Sequence, residues 1–389
     1  MKGEQFVKYK SVVKVGIDEL TLVLMAKDKI DFMIWEQKAE TMLKEFLDLA
    51  KLEDMFGELV MADYGIQKGY TDGLTFDNRP WHFSISWHEY LQNMGICIKF
   101  SAHAWAVYQT TYFEKYGEEM NITIFLRNVQ SDNYLARLSR IDFTADYFNF
   151  HKSFNPDTLS RGLNNGTITI KDYKNRSMLK NIQSVEKNGV ISTLYLGSKK
   201  SNTRCFARIY DKKLEQIDTK GIRYDEALKC KSWVRQEVVF KGTYSHQITE
   251  DLLNITTQIE LQQYIAQKIT EKYRFYDTAT KNEMKYTRAL LYIKNNAQFN
   301  HLSSVQVKDN DYMRSLKYLM NGSGLYPTLY KALEVWGEGA DKEIVKYLFN
   351  NYEKFYISEA HKKKDLRSWI KKHRADLRQQ TLKDYLRGV

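Results

Sequence analysis

The sequence predicts an α+β protein, with a largely antiparallel sheet in residues 1–245 and a helical region in residues 246–389. Short segments that alternate apolar and polar residues, or that are rich in β-branched residues, recur through the first part. From about residue 246 the apolar residues adopt helical spacing, as in ITEDLLNITTQIELQQYIAQKI. Only 3 prolines occur in 389 residues, which argues against a long Pro-rich linker between the two parts.

The elements of the first part follow from strand and helix patterns that are separated by turn residues. The predicted strands cover residues 12–25, 64–76, 81–87, 94–101, 137–148, 190–197, 203–211 and 232–241. The predicted helices cover residues 103–116 and residues 35–57, where Gly57 is a typical C-terminal cap.

The composition is that of a globular protein with a basic surface. Lys and Arg number 59 against 48 Asp and Glu, a formal net charge of +11. A surplus of this size is typical of proteins that bind a polyanion, either nucleic acid or an anionic membrane. The 27 tyrosines offer flat surfaces for unstacked bases, although most tyrosines of any protein pack in its core or at its rim.

The cysteines and the N-terminal segment indicate a cytoplasmic protein. Cys97, Cys205 and Cys230 have no zinc-ligand spacing, and their odd number does not suit a disulfide framework. The segment MKGEQFVKYK lacks the apolar stretch of a signal peptide, and no run approaches 18 apolar residues. We therefore expect no membrane partner, and membrane binding through the basic C-terminal segment is the least favoured hypothesis.

Charged residues interrupt three of the predicted strands. In RIDFTAD, Arg140 and Asp142 share one face; in WVRQEVVF, Arg235 and Glu237 do so; and Asp18 interrupts the first strand. Three acids from three strands could converge on Mg²⁺ or Mn²⁺, which prefer oxygen ligands. The alternative is pairing of the acids with arginines on a solvated sheet face, and the periodicity alone favours that alternative.

Tyr210 lies in a basic segment, FARIYDKKLEQ. If the strand continues through this segment, Arg208, Tyr210 and Lys212 point in the same direction. Two flanking cations favour the phenolate that a tyrosine nucleophile needs, and they can also bind the phosphate that it attacks. The alternative is an ordinary packing residue.

Tyr195, in STLYLGSKKS, is a second tyrosine of the same kind. It precedes a Gly-Ser turn that carries Lys199 and Lys200. The same two interpretations, nucleophile and packing residue, apply to it.

Seven segments of the first part together carry a family resemblance. They are GIDELTLVL (16–24), GYTDGLTF (69–76), MGICIKFSAHA (94–104), SRIDFTADYF (139–148), TLYLGSKKS (193–201), RIYDKKLEQ (208–216) and WVRQEVVFK (233–241). In this order they resemble the replication initiation factor family, which contains the initiators of Gram-positive rolling-circle plasmids and related relaxases of conjugative transposons.

The resemblance implies a fold related to rolling-circle nickases, with acids in place of a histidine-rich metal motif. It implies that Asp142 and Glu237, with Asp18, hold Mg²⁺ or Mn²⁺, and that Tyr210, in preference to Tyr195, is the nucleophile. The implied reaction nicks and rejoins one DNA strand through a 5′-phosphotyrosine, at an origin of replication or of conjugative transfer. The alternative is a non-catalytic DNA-binding protein on the same scaffold.

DNA contacts are expected from both parts of the chain. Residues 361–389 carry ten Lys and Arg against three Asp, with apolar residues at helical spacing. Such a helix either contacts duplex DNA beside the nick or docks by its apolar stripe and leaves a solvated basic face. The expected DNA-binding residues are Arg140, Lys199, Lys200, Arg235, Lys371 and Arg374.

The expected partners follow from the same resemblance. The substrate is the single-stranded or extruded origin DNA with its flanking duplex. Relatives in the family often act as homodimers with a host helicase, so we expect a second copy of the chain and a host helicase as partners.

Overall fold

The protein consists of two compact units, residues 1–304 and residues 305–389. The computed structural model describes residues 10–27, 34–62, 67–76, 83–150, 154–178, 181–187, 189–200, 203–302, 312–321, 323–379 and 381–387. None of the helices in these described ranges is both long and apolar enough to cross a membrane.

The strands of the structure all lie in the first unit. They are β1 (Val12–Ala26), β2 (Leu59–Met61), β3 (Asp72–Phe76), β4 (Phe83–Trp87), β5 (Ile96–Phe100), β6 (Tyr134–Phe148), β7 (Ile168–Lys171), β8 (Ile182–Lys187), β9 (Val190–Leu196), β10 (Cys205–Asp211), β11 (Trp233–Lys241) and β12 (Arg274–Asp277). Ten of them form one sheet in the order β2-β3-β4-β5-β1-β6-β11-β10-β9-β8, and β12 pairs with β7. Every pairing is antiparallel, which confirms the predicted α+β class with a largely antiparallel sheet.

The helices of the first unit lie between and after these strands. They are α1 (Trp35–Leu49), α2 (Leu52–Phe56), α3 (Ala102–Tyr116), α4 (Ile122–Asn128), α5 (Pro156–Asn164), α6 (Lys212–Thr219), α7 (Tyr224–Lys229), α8 (Thr243–Asn254), α9 (Gln258–Lys272) and α10 (Lys285–Lys294). The predicted helix over 35–57 is thus two helices, because Lys51 between them adopts a left-handed conformation (φ 55°). Its predicted end is confirmed, since Gly57 follows α2 with φ 86°.

One face of the sheet forms the core of the first unit. The ring of Phe143 on β6 lies 5.5 Å from Phe240 on β11 and 6.1 Å from Tyr264 on α9. All three side chains are fully buried, and each large apolar side chain contributes about 1.5–3 kcal/mol by leaving water. Because α8 and α9 pack on the central strands, the sheet is covered on this side.

The change from sheet to helix near residue 245 does not coincide with the division into units. Helices α8 and α9 follow that point in the chain but pack on β6 of the same unit. The division falls at residues 304 and 305. The first unit therefore keeps about sixty residues that the sequence pattern assigns to the helical region.

The second unit is helical, as expected for the end of the chain. Its helices are α11 (Tyr312–Asn321), α12 (Leu325–Trp336), α13 (Ala340–Asn351), α14 (Ile357–Ala360), α15 (Lys364–Leu377) and α16 (Leu382–Arg387). Four residues of the predicted apolar stripe of the basic segment line one cavity of this unit together with Tyr312: Trp369, Ile370, Leu377 and Leu382. The expected basic residues Lys371 and Arg374 are exposed.

Candidate active site

The second face of the sheet carries charged residues in two rows that cross five strands. Residues directly opposite each other in a ladder point to the same face, so the pairing register defines both rows. The Glu237 row contains Gly16, Thr144, Glu237, Arg208 and Tyr195. The Tyr210 row contains Lys14, Asp146, Arg235, Tyr210 and Thr193.

Arg235 is the centre of the Tyr210 row. Its side chain is 6% exposed, its Nε lies 2.7 Å from Asp146 Oδ1, and a second nitrogen bonds Asp18. Arg223 Nη1 reaches Asp146 from outside the sheet at 2.9 Å. Burial raises the pKa of Asp146, but the hydrogen bonds and charges of these two arginines outweigh it and hold that pKa below its usual value.

Glu237 is the centre of the other row. Its Oε1 lies 2.6 Å from Arg208 Nη2, and its Oε2 lies 3.5 Å from the hydroxyl of Tyr210. The same Arg208 nitrogen lies 4.0 Å from Asp18 Oδ2. Burial and the nearby charge of Asp18 raise the pKa of Glu237 above its usual range, against the opposing effect of Arg208.

Asp142 forms a separate group with Arg140 and Glu19. Arg140 holds Asp142 through two hydrogen bonds, of 2.8 and 2.6 Å, and Glu19 Oε1 through a third of 2.5 Å. The pKa of Asp142 is nevertheless raised well above its usual value, because its complete burial and the charges of Glu237 and Glu19 outweigh Arg140.

A β-bulge places Asp18 and Glu19 on the same face although they are adjacent in sequence. Ile17 pairs with Phe143 and Leu20 with Ile141, so two residues of β1 oppose the single residue Asp142. In a regular strand, consecutive side chains would point to opposite faces. The bulge is therefore what brings two acids of β1 to the arginines of β6, β10 and β11.

The structure corrects the expected surroundings of Tyr210 in two respects. The strand ends at Asp211, whose side chain accepts a hydrogen bond from Leu214 N and caps α6, so Lys212 is the first helical residue. Its ammonium still lies 5.6 Å from the Tyr210 ring centre. The phenolate is not favoured here, because burial and the charges of Glu237 and Asp18 raise the pKa of Tyr210 well above its usual value, in spite of Arg235 and Arg208.

Tyr195 lies on the same face as Tyr210, on the neighbouring strand. It stands directly opposite Arg208 in the β9–β10 ladder. Lys199 Nζ lies 3.3 Å from its ring centre. Both predicted tyrosines are therefore within the same charged surface, and each has a lysine beside it.

The donor set fits a hard cation in part. Asp18 and Glu237 approach the same Arg208 nitrogen, and Glu237 Oε1 is buried without accepting a well-aligned hydrogen bond from the described residues. Two carboxylates with additional oxygens from a substrate phosphate are a usual ligand set for Mg²⁺. The third expected ligand, Asp142, is held by Arg140, and within the described ranges no three His, Cys, Asp or Glu side chains form a ligand group alone.

Comparison with known proteins places this geometry in a family. Residues 136–348, which include most of β6 and all of β9, β10 and β11, match the family model described as replication initiation factor. The chain belongs to the replication initiation factor family. Among solved structures it is similar to a rolling circle replication initiator protein from Geobacillus stearothermophilus, with 14% identity and a TM-score of 0.50 over 72% of this chain and 96% of that one. No curated protein matches the chain.

In this member of the replication initiation factor family, the predicted DNA-binding residues differ in exposure. Lys199 and Lys200 are exposed beside β9, whereas Arg140 is 28% exposed and bound to two acids. Arg235 is held between Asp146 and Asp18 and is only 6% exposed, so its main contacts are with carboxylates.

Sequence reasoning missed two residues of the charged face. Glu19 was overlooked because regular alternation would turn it away from Asp18. Arg223 was overlooked because it comes from the α6–α7 turn, remote in sequence from its partner Asp146. The signal for Glu19 was present in the spacing of the apolar residues of β1.

Proposed function

We propose that the protein nicks and rejoins one strand of DNA at a specific site, through a covalent 5′-phosphotyrosine, as the initiating step of rolling-circle replication. Membership of the replication initiation factor family supports the role in replication initiation. The observation that carries the chemical part is the position of Tyr210, which lies 3.5 Å from a carboxylate oxygen and has Arg208 and Lys212 near its ring.

Tyr210 is the proposed nucleophile. The phenol is neutral in this structure, so its proton must leave as the oxygen attacks, and Glu237 Oε2 is the neighbouring acceptor. The pKa of Glu237 is raised above its usual range, so this carboxylate is a stronger base than an exposed one. Tyr195 is the second candidate, because it lies on the same face one strand away.

The cations around Tyr210 are suited to bind and stabilise a phosphate. Arg208 has its guanidinium carbon 5.3 Å from the Tyr210 ring, and Lys212 lies on the opposite flank in sequence. Both can stabilise the negative charge that develops on the phosphate oxygens in the transition state. Arg235 acts on them indirectly, by fixing the carboxylates of Asp18 and Asp146.

The reaction balances without an external energy source. A bond forms between Tyr210 Oη and phosphorus, the bond from phosphorus to the 3′-oxygen breaks, and the tyrosine proton passes to Glu237. The departing 3′-oxygen takes a proton from solvent and becomes a hydroxyl. Because one ester replaces another, a 3′-hydroxyl can later attack the phosphotyrosine and rejoin the strand.

Asp18 and Glu237 would hold the metal ion that the family resemblance implies. Mg²⁺ or Mn²⁺ bound there would polarise a non-bridging phosphate oxygen. Arg208 must then share Glu237 Oε1 or turn toward the phosphate, and its 35% exposed side chain has room to do so.

The test is a search for a metal-dependent protein–DNA adduct. Single-stranded oligonucleotides that tile the origin region of the encoding element are incubated with the protein and Mn²⁺ or EDTA, and denaturing gels are read for the adduct. Tyr210→Phe and Tyr195→Phe are compared with Tyr292→Phe, a control at an 87% exposed position.

An adduct that is lost only in Tyr210→Phe supports the proposal and names the nucleophile. Loss only in Tyr195→Phe transfers the role to Tyr195. Binding without adduct in either condition favours the alternative, a non-catalytic DNA-binding protein on the same scaffold. A role in conjugative transfer remains a further proposal, since the same chemistry serves replication and transfer. Homodimer formation and a host helicase partner are further proposals as well.

A further inference from the structure

A cavity of about 490 Å³ adjoins the charged face, between α3 and the α6–α7 region. Its walls are the first half of α3, the helix α6 and the turn at residues 219–223. Asp18 and Arg235 lie at its edge, so it opens directly beside the Tyr210 row. Cavities of roughly 300–1,000 Å³ are those that hold small organic ligands in proteins.

The lining of this cavity has a positive balance. Four cations, Lys212, Lys220, Arg223 and Arg235, face two acids, Asp18 and Glu215. Lys212 is only 7% exposed, and its ammonium lies 2.8 Å from Glu215. Arg223 and Arg235 also pair with Asp146 and Glu226 behind the lining, so Lys220, which has no ion pair among the described residues, is the cation that an anionic ligand would contact.

Polar groups that can read a base line the same cavity. The Gln216 amide is held in place: its nitrogen donates to Glu215 Oε2 at 2.8 Å, and its oxygen accepts from Arg223 N at 2.9 Å. A Cβ at Gly221 would lie 2.5 Å from that oxygen, so a larger residue there would push the amide out of this position. The Gln109 amide, whose nitrogen donates to Met120 O at 2.8 Å, stands on the α3 wall.

Small and aromatic residues of α3 complete the site. Ala102 and Ala106 leave the cavity open, while the buried indole of Trp105 forms part of its wall. His103 lines the cavity and is exposed, which gives an aromatic ring at the entrance. An unstacked base regains stacking on such rings, at a gain of about 1–3 kcal/mol per base.

We propose that this cavity binds one unpaired nucleotide of the substrate strand, next to the phosphate that Tyr210 attacks. The proposal rests on the proposed nicking function and names the part of the substrate that this cavity recognises. Lys212 links the two places, because it lines the cavity and lies 5.6 Å from the Tyr210 ring. A nucleotide extruded here would fix the register of the strand over the nucleophile.

The test combines abasic substrates with a variant that fills the cavity. The nick position is first mapped with the wild-type protein. A series of uncleaved oligonucleotides is then prepared, each with one abasic site at a different position. Their binding is measured with Tyr210→Phe protein. The same series is measured after adding Ala106→Phe, which fills the cavity, or Thr110→Phe, an exposed position on α3 outside it.

We expect one abasic position beside the nick to weaken binding by about tenfold, from the lost base contacts. Ala106→Phe should weaken binding of the strand that has all its bases to a similar degree. In this variant, removing the base at the sensitive oligonucleotide position should weaken binding further by less than about twofold. Thr110→Phe should behave as its parent does.

Two results would overturn the proposal while the nicking function stands. One is that the wild-type protein forms the adduct but no abasic position beside the nick weakens binding. The other is an abasic effect that persists in full in Ala106→Phe. If the wild-type protein forms no adduct at all, the proposed function itself fails, and the role of the cavity fails with it.

Discussion

The hydroxyl of Tyr210 lies 3.5 Å from Glu237 Oε2, across the pair formed by β10 and β11. Burial raises the pKa of Tyr210 well above its usual value, and the charges of Glu237 and Asp18 raise it further, against the opposing effect of Arg235 and Arg208. The phenol is therefore neutral and has an acceptor beside it. Activation then depends on proton transfer to Glu237 during attack, since no stable phenolate exists beforehand.

Glu237→Gln tests this relationship, because it keeps the shape of the side chain but removes the carboxylate that we propose both as base and as metal ligand. We expect the rate of adduct formation to fall by about 10²–10⁴-fold, the usual contribution of a general base. Single-turnover assays with a cleavable oligonucleotide measure this rate. Binding of the same strand to Tyr210→Phe protein should stay unchanged when Glu237→Gln is added.

Glu186→Gln, at an exposed position on β8, is the matched control for the chemical change. A wild-type rate in Glu237→Gln would mean that Glu237 only pairs with Arg208, and the base would have to be sought elsewhere.

The bulge in β1 shows which part of the site could be predicted from the sequence. The core-facing residues of β1 are Val13, Val15 and Ile17 before the bulge, and Leu20, Leu22 and Leu24 after it. This change from odd to even positions requires one extra residue between Ile17 and Leu20, so the bulge could have been predicted. The pairing of each acid with its arginine could not, because it depends on the strand order β1-β6-β11-β10, which brings remote segments together.

The helices that the sequence reading missed have recognisable starts. Asn155 accepts a hydrogen bond from Thr158 N and precedes Pro156, the first residue of α5. An N-cap residue followed by proline is typical of a helix start. Asp211 at the start of α6 is a similar N-cap within a segment read as a strand, so a short helix directly after a strand was hidden by the alternating pattern.

Asp142→Asn should change the pH dependence of stability. Asp142 and Glu237 have raised pKa values, so the folded protein binds more protons than the unfolded chain above about pH 4. Stability contributed by these groups is therefore present at low pH and lost as the pH rises through their raised pKa values. In Asp142→Asn the decline of Tm between about pH 5 and about pH 8 should be smaller, with a gain of roughly 2–4 °C at the upper end.

The control is Asp157→Asn, on α5, because Asp157 pairs with a 71% exposed arginine on its own helix. An equal slope in Asp142→Asn and in the wild type would show that Arg140 compensates the buried carboxylate fully.

Asp146→Asn should have the opposite effect on stability. The pKa of Asp146 is lowered by Arg235 and Arg223, so its contribution is present above the usual carboxylate pKa and is lost as the pH falls through the lowered value. At neutral pH, loss of the charge leaves buried Arg235 with one partner fewer and should cost about 3 kcal/mol. Urea-induced unfolding measures this cost, and a loss below about 0.5 kcal/mol, as expected for Asp157→Asn, would contradict it.

Replacement of Lys371 and Arg374 on α15 by alanine should reduce the salt dependence of duplex binding. Each phosphate contact contributes about 0.9 to the slope of log K against log salt, so the double variant should lose up to about 1.8 if both residues touch phosphates. The control is the double alanine variant of Lys342 and Lys346, which are also exposed and lie on α13 of the same unit. Because Tyr210 lies in the other unit, adduct formation on a single strand should keep its wild-type rate. An unchanged slope in the α15 variant and a reduced slope in the α13 variant would move the duplex contact to α13, and unchanged slopes in both would confine DNA binding to the first unit.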